Sequence, residues 1–252
     1  MGEDQSALHK ASQSQVDDLV ASNMLRIQKN IGLLVSRKLP TQKFLVAMSF
    51  DEMATKNNLT KMITEAFSQR AEKAENTYNT DNIYDIADHF NEYVDLTKEE
   101  FYKMIDEKVT TVQWNPTFKP FLQNLMVNPV FFPVIVSSGI KGAITKALES
   151  IGAAKRLHVF SNEMEYNPEG VIVGAHLIIG DVEKGRIVEN LAQLGSFDRV
   201  VTVGHARGDV NFIRAGTPGL RFSFVGDQFA MSAADHTVTT WTEIISYLNT
   251  DL

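Results

Sequence analysis

The chain has 252 residues, of which 44% are hydrophobic and 22% are charged, and it contains no cysteine. This composition is typical of a globular protein, and it excludes disulfide bonds, thiolate catalysis and zinc sites built on cysteine. The formal net charge of -7 argues against nucleic acid and against an anionic membrane surface, because phosphate groups attract clustered lysine and arginine. We therefore expect a small-molecule ligand or substrate, with no nucleic-acid and no membrane partner.

The sequence carries no export or membrane signal. No run approaches about 18 consecutive apolar residues, and residues 1–30 lack the basic and then apolar pattern of a signal peptide. A chain without cysteine also fits a reducing compartment. We therefore predict a soluble, cytoplasmic protein.

Residues 1–39 are predicted to form a polar tail followed by an amphipathic helix or helix pair. Apolar residues recur at helical spacing from Val16 to Val35, and Asp17 and Asp18 lie where the first turn of a helix favours acidic side chains. We expect this segment to pack against the main domain. Partner binding or homodimerisation through it is the alternative.

The first core strand is predicted at residues 44–50. An apolar run ends there in the polar side chains of Ser49, Asp51 and Glu52. This pattern is typical of a buried parallel strand that delivers functional groups at its carboxyl end.

Residues 56–114 carry apolar side chains at helical intervals without a strand signal, which predicts a helical insertion between two core strands. Thr97 and Glu100 have the spacing of a capping box at the start of its last helix. After the insertion, strands and helices alternate to the end of the chain, with strands expected at 130–136, 158–161, 171–179, 199–204, 222–225 and 237–239. A helix is expected from Arg186 to Leu194. The pattern predicts an α/β fold, an open parallel sheet with helices on both faces.

Several motifs, in this order along the chain, resemble those of the haloacid dehalogenase (HAD) superfamily, in particular its pyrimidine 5'-nucleotidase and phosphoserine phosphatase-like branch. They are the strand with S-F-D-E-M-A-T at 49–55, S-S-G-I at 137–140, S-N-E-M-E-Y at 161–166, Lys184, G-H-A-R-G-D at 204–209 and A-D-H-T-V at 234–238. The resemblance covers about residues 40–250. It implies a Rossmann-like core at 40–55 and 115–252, a helical cap at 56–114 and an N-terminal helical extension at 1–39.

The chain departs from the family pattern at the positions that carry phosphatase chemistry. The preferred alignment places Ser49 at the nucleophilic aspartate, Asp51 at the general acid/base and Met53 at the conserved threonine of the motif. A shifted alignment makes Asp51 the nucleophile and puts Met53 at the acid/base position. In the fourth motif His205 stands where the family has a metal-binding aspartate, and Asp209 remains.

These replacements remove two of the carboxylates that the family uses to attack phosphorus and to hold magnesium. Magnesium prefers oxygen ligands in octahedral geometry, so a serine hydroxyl and an imidazole are poor substitutes. A serine nucleophile also needs an adjacent base, and Asp51 at an ordinary pKa is a weak one. We therefore predict no metal site and no cofactor.

The remaining polar residues suit acid/base chemistry and the binding of an anion or oxyanion. The predicted catalytic residues are Asp51, Ser49, Lys184 and His205. The predicted substrate-binding residues are Ser137, Ser138, Gly139, Glu52, Asn162 and Asp209. Each residue taken alone also has an ordinary structural interpretation, such as a helix cap for Ser137 and Asp209 or a solvated lysine for Lys184.

Three functions follow as hypotheses. The first is a divergent, metal-independent enzyme that performs a dehydration, cyclisation, lyase or isomerase step on a small polar or anionic molecule in a capped pocket. The second is a catalytically silent relative, a pseudo-phosphatase, that binds a ligand or a protein. The third is a weak phosphatase acting on a nucleotide or a similar monoester.

Overall fold

The computed structural model describes residues 13–70 and 83–251. Its strands are β1 Phe44–Met48, β2 Phe131–Ile140, β3 His158–Tyr166, β4 Ile172–Leu177, β5 Arg199–Gly204, β6 Arg221–Phe224 and β7 His236–Val238. Its helices are α1 Gln13–Val35, α2 Leu59–Arg70, α3 Ile83–Asn91, α4 Lys98–Val109, α5 Phe118–Val127, α6 Lys141–Ser150, α7 Asp181–Gly195, α8 Val210–Arg214, α9 Gln228–Ala233 and α10 Trp241–Asp251. A short 3-10 helix, Arg207–Asp209, precedes α8. No helix among the described residues is long and apolar enough to cross a membrane.

The strands form one sheet in the order β4-β3-β2-β1-β5-β6-β7. The central strand β1 pairs in parallel with both β2 and β5, and every one of its residues is buried. Only the β3–β4 pair is antiparallel within the described sheet. The predicted α/β fold with an open, mostly parallel sheet is confirmed. Because parallel strands end at the same edge, the carboxyl ends of β1, β2 and β5 converge there.

Two element boundaries differ from the sequence-based expectation. Strand β2 continues to Ile140, with a shift of its register against β3 after Val136, so the S-S-G-I motif is extended rather than a turn. Helix α7 begins at Asp181 instead of the predicted Arg186, because the Glu183 carboxylate accepts the Gly180 amide and caps the helix start. Lys184 therefore lies in the first turn of a helix.

Helix α9 was not predicted. Its start is fixed by Asp227, whose side chain accepts the backbone amides of Phe229 and Ala230. This N-cap satisfies donors that the first turn of a helix leaves unpaired. With only six residues, the helix is too short to show a clear apolar period in the sequence.

Helix α1 packs on one face of the sheet, where Ile27 and Ile31 are fully buried with α7. Asn23 fixes the position of α1, since its side chain donates to the Ile178 carbonyl and accepts the Ile178 amide. The predicted packing of this helix on the main domain is confirmed. Dimerisation remains a prediction, and the polar tail at 1–12 lies outside the described residues.

The helical insertion leaves the sheet layer and returns to it at an antiparallel bridge between Thr55 and Trp114. The predicted capping box is present at α4, where Thr97 Oγ1 accepts the Glu100 amide and Glu100 accepts the Thr97 amide. Apolar side chains of α2, α3 and α4 belong to the same buried cluster as one face of the sheet. Residues 71–82 of the predicted cap lie outside the described residues.

Candidate functional site

A cavity of about 470 Å³ opens at the carboxyl edge of the sheet, between the ends of β1, β2 and β5 and helix α2. It brings together all the predicted site residues except Asn162, namely Ser49, Asp51, Glu52, Ser137, Ser138, Gly139, Lys184, His205 and Asp209. These residues are far apart in the sequence. They meet because each follows or adjoins a strand that ends at this edge.

A buried ion pair forms the floor of the cavity. Lys184 Nζ lies 2.8 Å from Asp209 Oδ1, and both side chains are almost fully buried. The other carboxylate oxygen of Asp209 accepts the backbone amides of His205 and Ala206. Burial alone would raise the pKa of Asp209, but Lys184 and then His205 hold it far below its usual value. Asp209 is therefore a permanent anion whose oxygens are already occupied.

His205 joins this ion pair to the rim of the cavity. Its Nδ1 lies 3.5 Å from Asp209 Oδ2, and its Nε2 lies 3.3 Å from Glu52 Oε2. Burial alone would lower the pKa of His205, but the neighbouring carboxylates of Asp209 and Glu52 raise it to about 9. The hydrogen bond with His205 also lowers the pKa of Glu52. At neutral pH the site thus holds an imidazolium between two carboxylates.

We expect stability to fall as the pH rises through the pKa of His205. The folded-state pKa of about 9 exceeds the ordinary value of 6.5, so protonated His205 stabilises the fold fully below pH 6.5. This contribution is lost as the pH rises through about 9. The measurement is the free energy of unfolding in urea across this pH range. A His205→Gln variant should show a flatter profile, and a native profile as flat as the variant's would contradict the assignment.

Asp51 lies where the chain leaves strand β1 and enters the helical insertion. Its Oδ1 accepts the amide of Leu59 at the start of α2, and its Oδ2 accepts the hydroxyl of Thr60, both at 2.9 Å. Burial raises the pKa of Asp51 above its ordinary value, although these two hydrogen bonds act in the opposite direction. A carboxyl group with a raised pKa exchanges protons more readily near neutral pH than an exposed aspartate does.

The absence of a side chain at Gly139 leaves room for the contact between Asp51 and Thr60. A Cβ atom at Gly139 would stand 2.7 Å from Thr60 Oγ1 and 3.1 Å from Asp51 Oδ2, closer than van der Waals contact allows. We expect Gly139→Ala to push Thr60 away from Asp51 and to destabilise the fold by about 1–3 kcal/mol, the usual cost of overpacking. Urea unfolding measures the change.

Gly32 in α1 provides the matched control, because a Cβ atom there would meet nothing within 4 Å. Gly32→Ala should stabilise the protein by about 0.5–1 kcal/mol through helix propensity. Equal stabilities of the native protein and Gly139→Ala would show that the Thr60 contact yields without cost.

Ser49 directly follows the central strand and is only 4% exposed. Its hydroxyl makes no hydrogen bond to any described residue, and the oxygens of Asp51 are directed to Leu59 and Thr60 instead. The pairing of nucleophile and base that an active serine requires is therefore not formed here. Glu52, three residues after Ser49, has a left-handed backbone with φ 60°. This conformation is strained for a residue with a side chain.

The magnesium ion implied by the HAD resemblance does not fit these residues. Asp209 already accepts hydrogen bonds from Lys184 and from two backbone amides, and His205 carries a positive charge that repels a second cation. Magnesium demands several oxygen ligands in octahedral geometry. Within residues 13–70 and 83–251, no group of three or more histidine, cysteine, aspartate or glutamate side chains is placed to hold a metal.

The structure places Asn162 away from the cavity lining. Its side chain donates to the Ser138 carbonyl and accepts the Ile179 amide, so it ties β2 to the segment before α7. Asn162 therefore supports the strand that carries Ser137 and Ser138. Its predicted contact with a substrate finds no place in this geometry.

Sequence reasoning missed the wall that α2 contributes. Thr60, Thr64 and Ser68 are buried polar residues spaced four apart, and Lys61 and Glu65 line the same cavity. The repeated hydroxyl residues at i, i+4 and i+8 were the available signal, since they mark one face of a helix. The apolar residues of α2 drew attention to its other face.

Thr64 contacts His89 of α3 and Tyr93 of the turn that follows α3. Thr64 Oγ1 lies 3.0 Å from the Thr60 carbonyl, to which it donates, and 3.2 Å from both His89 Nε2 and Tyr93 OH. With its one hydrogen donated, the Thr64 oxygen accepts from His89 and Tyr93. Burial lowers the pKa of His89, which keeps its imidazole neutral. This network fixes the cavity-facing side of α2.

Comparison with family models and with curated proteins gives no match. Solved structures do match. A substrate-bound phosphoserine phosphatase has a TM-score of 0.60 and 19% identity, covering 82% of this chain and 98% of that one. A HAD family hydrolase from Salmonella enterica has a TM-score of 0.60 and 14% identity, covering 82% of this chain and 71% of that one. Cytosolic 5'-nucleotidase IIIB bound to cytidine has a TM-score of 0.59 and 13% identity, covering 91% and 92%.

These similarities cover 82% to 91% of this chain. At such identities they establish the fold and leave the activity open. The HAD family hydrolase among them agrees with the superfamily that the sequence motifs resemble. The chain shares its fold with solved structures of a phosphoserine phosphatase, a HAD family hydrolase and a 5'-nucleotidase.

Proposed function

We propose that this protein is an enzyme that performs metal-independent acid/base chemistry on a small polar or anionic molecule in the capped cavity. The reaction class is dehydration, cyclisation, lyase or isomerase chemistry. The observation that carries this proposal is the state of Asp51: it lines the cavity, two hydrogen bonds fix its orientation, and burial raises its pKa. Those are the properties of a general acid/base.

Other groups of the site are unsuited to phosphoryl transfer, and this supports the assignment. Asp209 is locked in its ion pair with Lys184, and Ser49 replaces the nucleophilic carboxylate. Ser137 adds a donor, because its oxygen accepts the Gly139 amide while its own hydrogen is donated to no described residue. A hydroxyl in that state suits the carbonyl or hydroxyl oxygen of a ligand.

Two other functions have an observation in their favour. Both oxygens of Asp51 contact α2, which also suits a purely structural helix cap and therefore a catalytically silent binding module. The names of the structural relatives favour a weak phosphatase acting on a phosphomonoester or nucleotide. We further infer a cytoplasmic location and the absence of nucleic-acid partners from the lack of cysteine and the net charge of -7.

A metabolite screen tests the proposal. The full chain is incubated with a mixture of small polar metabolites in a buffer with chelator, and consumed compounds are identified by mass spectrometry while phosphate release is monitored. We expect at least one compound to be converted without release of phosphate. Phosphate release that requires added magnesium would overturn the proposal in favour of a phosphatase. Conversion of no compound, with a ligand retained on purification, would overturn it in favour of a binding module.

A further inference from the structure

One wall of the cavity is a polar face of α2. Ser68 belongs to this face and is only 4% exposed, and its hydroxyl makes no hydrogen bond to any described residue. Thr60 directs its hydrogen to Asp51, which leaves its oxygen able to accept another hydrogen bond. A buried hydroxyl with bonding capacity to spare is unfavourable unless a ligand or water meets it.

The opposite wall, at the edge of the sheet, has the same property. Ser49 is 4% exposed, and its hydroxyl makes no hydrogen bond to any residue in the described ranges. Ser137 is 3% exposed and keeps its hydrogen for a ligand. The cavity therefore lies between two walls of hydroxyl groups that can each donate or accept.

Every basic side chain in the described cavity lining already has an acidic partner, so none is left to bind an anion. Each basic side chain in the lining is paired with an acidic one: Lys184 with Asp209, His205 with Glu52 and Asp209, and Lys61 with Glu65 at 3.7 Å. Asp51 adds a further carboxyl group, which has no basic partner among the described residues. A phosphomonoester dianion would meet repulsion from this carboxylate and, among the described lining residues, no basic side chain without an acidic partner.

Phenyl, phenol, indole and large aliphatic side chains are also missing from the described part of the lining. Among the described residues that line the cavity, only Gly139, Ala206 and Gly208 lack a polar side chain. Binding pockets for flat or apolar ligands are usually lined by aromatic and aliphatic groups. The lining residues within 13–70 and 83–251 therefore offer no phenyl, phenol or indole ring on which a nucleobase would stack.

We propose that the ligand of this cavity is an uncharged polyhydroxylated compound of the carbohydrate or cyclitol class, bound between Ser68 on one side and Ser49 and Ser137 on the other. This inference rests on the proposed function, since it names the substrate class of the same site. Several hydroxyl groups on a compact ring satisfy both walls at once, and an uncharged ligand leaves the paired charges undisturbed. A cavity of about 470 Å³ is large enough for one such ring.

Ligand-observed NMR and calorimetry test the proposal with the full chain in chelator. The probes are D-glucose and myo-inositol as neutral ligands, D-glucose 6-phosphate as the charged counterpart of the first, and cytidine. We expect at least one neutral probe to bind, about ten-fold or more tighter than D-glucose 6-phosphate or cytidine. Ser68→Ala and Ser137→Ala should each weaken its binding about ten-fold. Ser232→Ala is the control, because Ser232 lies on α9, where its hydroxyl donates to the Gln228 carbonyl outside the cavity.

Tighter binding of D-glucose 6-phosphate than of D-glucose would overturn the inference, as would neutral-probe binding that both serine variants leave unchanged, or failure of both neutral probes to bind. Failure of this inference about the ligand class can be distinguished from failure of the proposed function. Loss of conversion with neutral-probe binding intact would remove the enzymatic proposal and keep the ligand class. Conversion of a phosphorylated compound without phosphate release would keep the enzyme and remove the ligand class.

Discussion

Replacing Asp51 by asparagine is expected to lower the turnover of the converted compound about 10²–10⁴-fold, the usual contribution of a general acid/base. The substitution removes the proton that Asp51 exchanges but keeps an oxygen that can accept the Leu59 amide at the start of α2. The helix cap therefore survives, and the melting temperature should stay near that of the native protein. The measurement is kcat and KM for the compound found in the screen, and we expect the loss to appear in kcat.

Asp106→Asn is the matched control for this substitution. Asp106 lies on α4 at the surface, where it pairs with Lys146 at 3.3 Å and contributes nothing to the cavity. Its replacement should leave kcat and KM unchanged. If Asp51→Asn also leaves kcat unchanged, Asp51 serves only as a cap for α2 and the enzymatic proposal loses its main support.

Replacing Lys184 by methionine is expected to lower the free energy of unfolding by about 3–5 kcal/mol, because it leaves a buried carboxylate without its partner. Methionine keeps much of the volume of the lysine side chain, so the loss reports the missing charge and hydrogen bond rather than a cavity. Asp209 is 0% exposed and Lys184 is the main group that lowers its pKa, so without Lys184 this buried carboxyl group is costly whether it stays charged or takes up a proton. Urea unfolding at neutral pH gives the change directly.

Two further variants separate the ion pair from a general effect of removing lysine. Lys146→Met breaks the exposed pair with Asp106 and should change stability by less than about 1 kcal/mol, as surface ion pairs do. Adding Asp209→Asn to Lys184→Met should recover part of the loss, since the amide oxygen still accepts the backbone amides of His205 and Ala206 without a buried charge. A Lys184→Met protein as stable as Lys146→Met would show that water reaches Asp209 and replaces the lysine.

The sequence indicated the fold because its signals are local and repeated. The buried run at 44–48, the capping box of Thr97 and Glu100, and the alternation of strands and helices each reflect a period or a cap that neighbouring residues define. Boundaries were less accurate where a contact decided them. The start of α7 depends on Glu183 capping Gly180, and the extension of β2 to Ile140 depends on pairing with β3.

The candidate site likewise has features that the sequence indicated and features that depend on contacts between distant segments. The sequence by itself determined that Ser49, Asp51, Ser137 and Asp209 meet, because polar residues that follow buried parallel strands share one edge of the sheet. Through its resemblance to the HAD motifs it also led to the prediction that two carboxylates for phosphoryl transfer are replaced.

Only the tertiary structure decided what these groups do to one another. It paired Lys184 with Asp209, placed His205 between two carboxylates, and set Ser68 of α2 opposite the strand that ends at Ser49. The physical reason is that a pKa, an ion pair and the shape of a cavity depend on distances of a few ångströms between distant segments. No local pattern in a sequence specifies such distances.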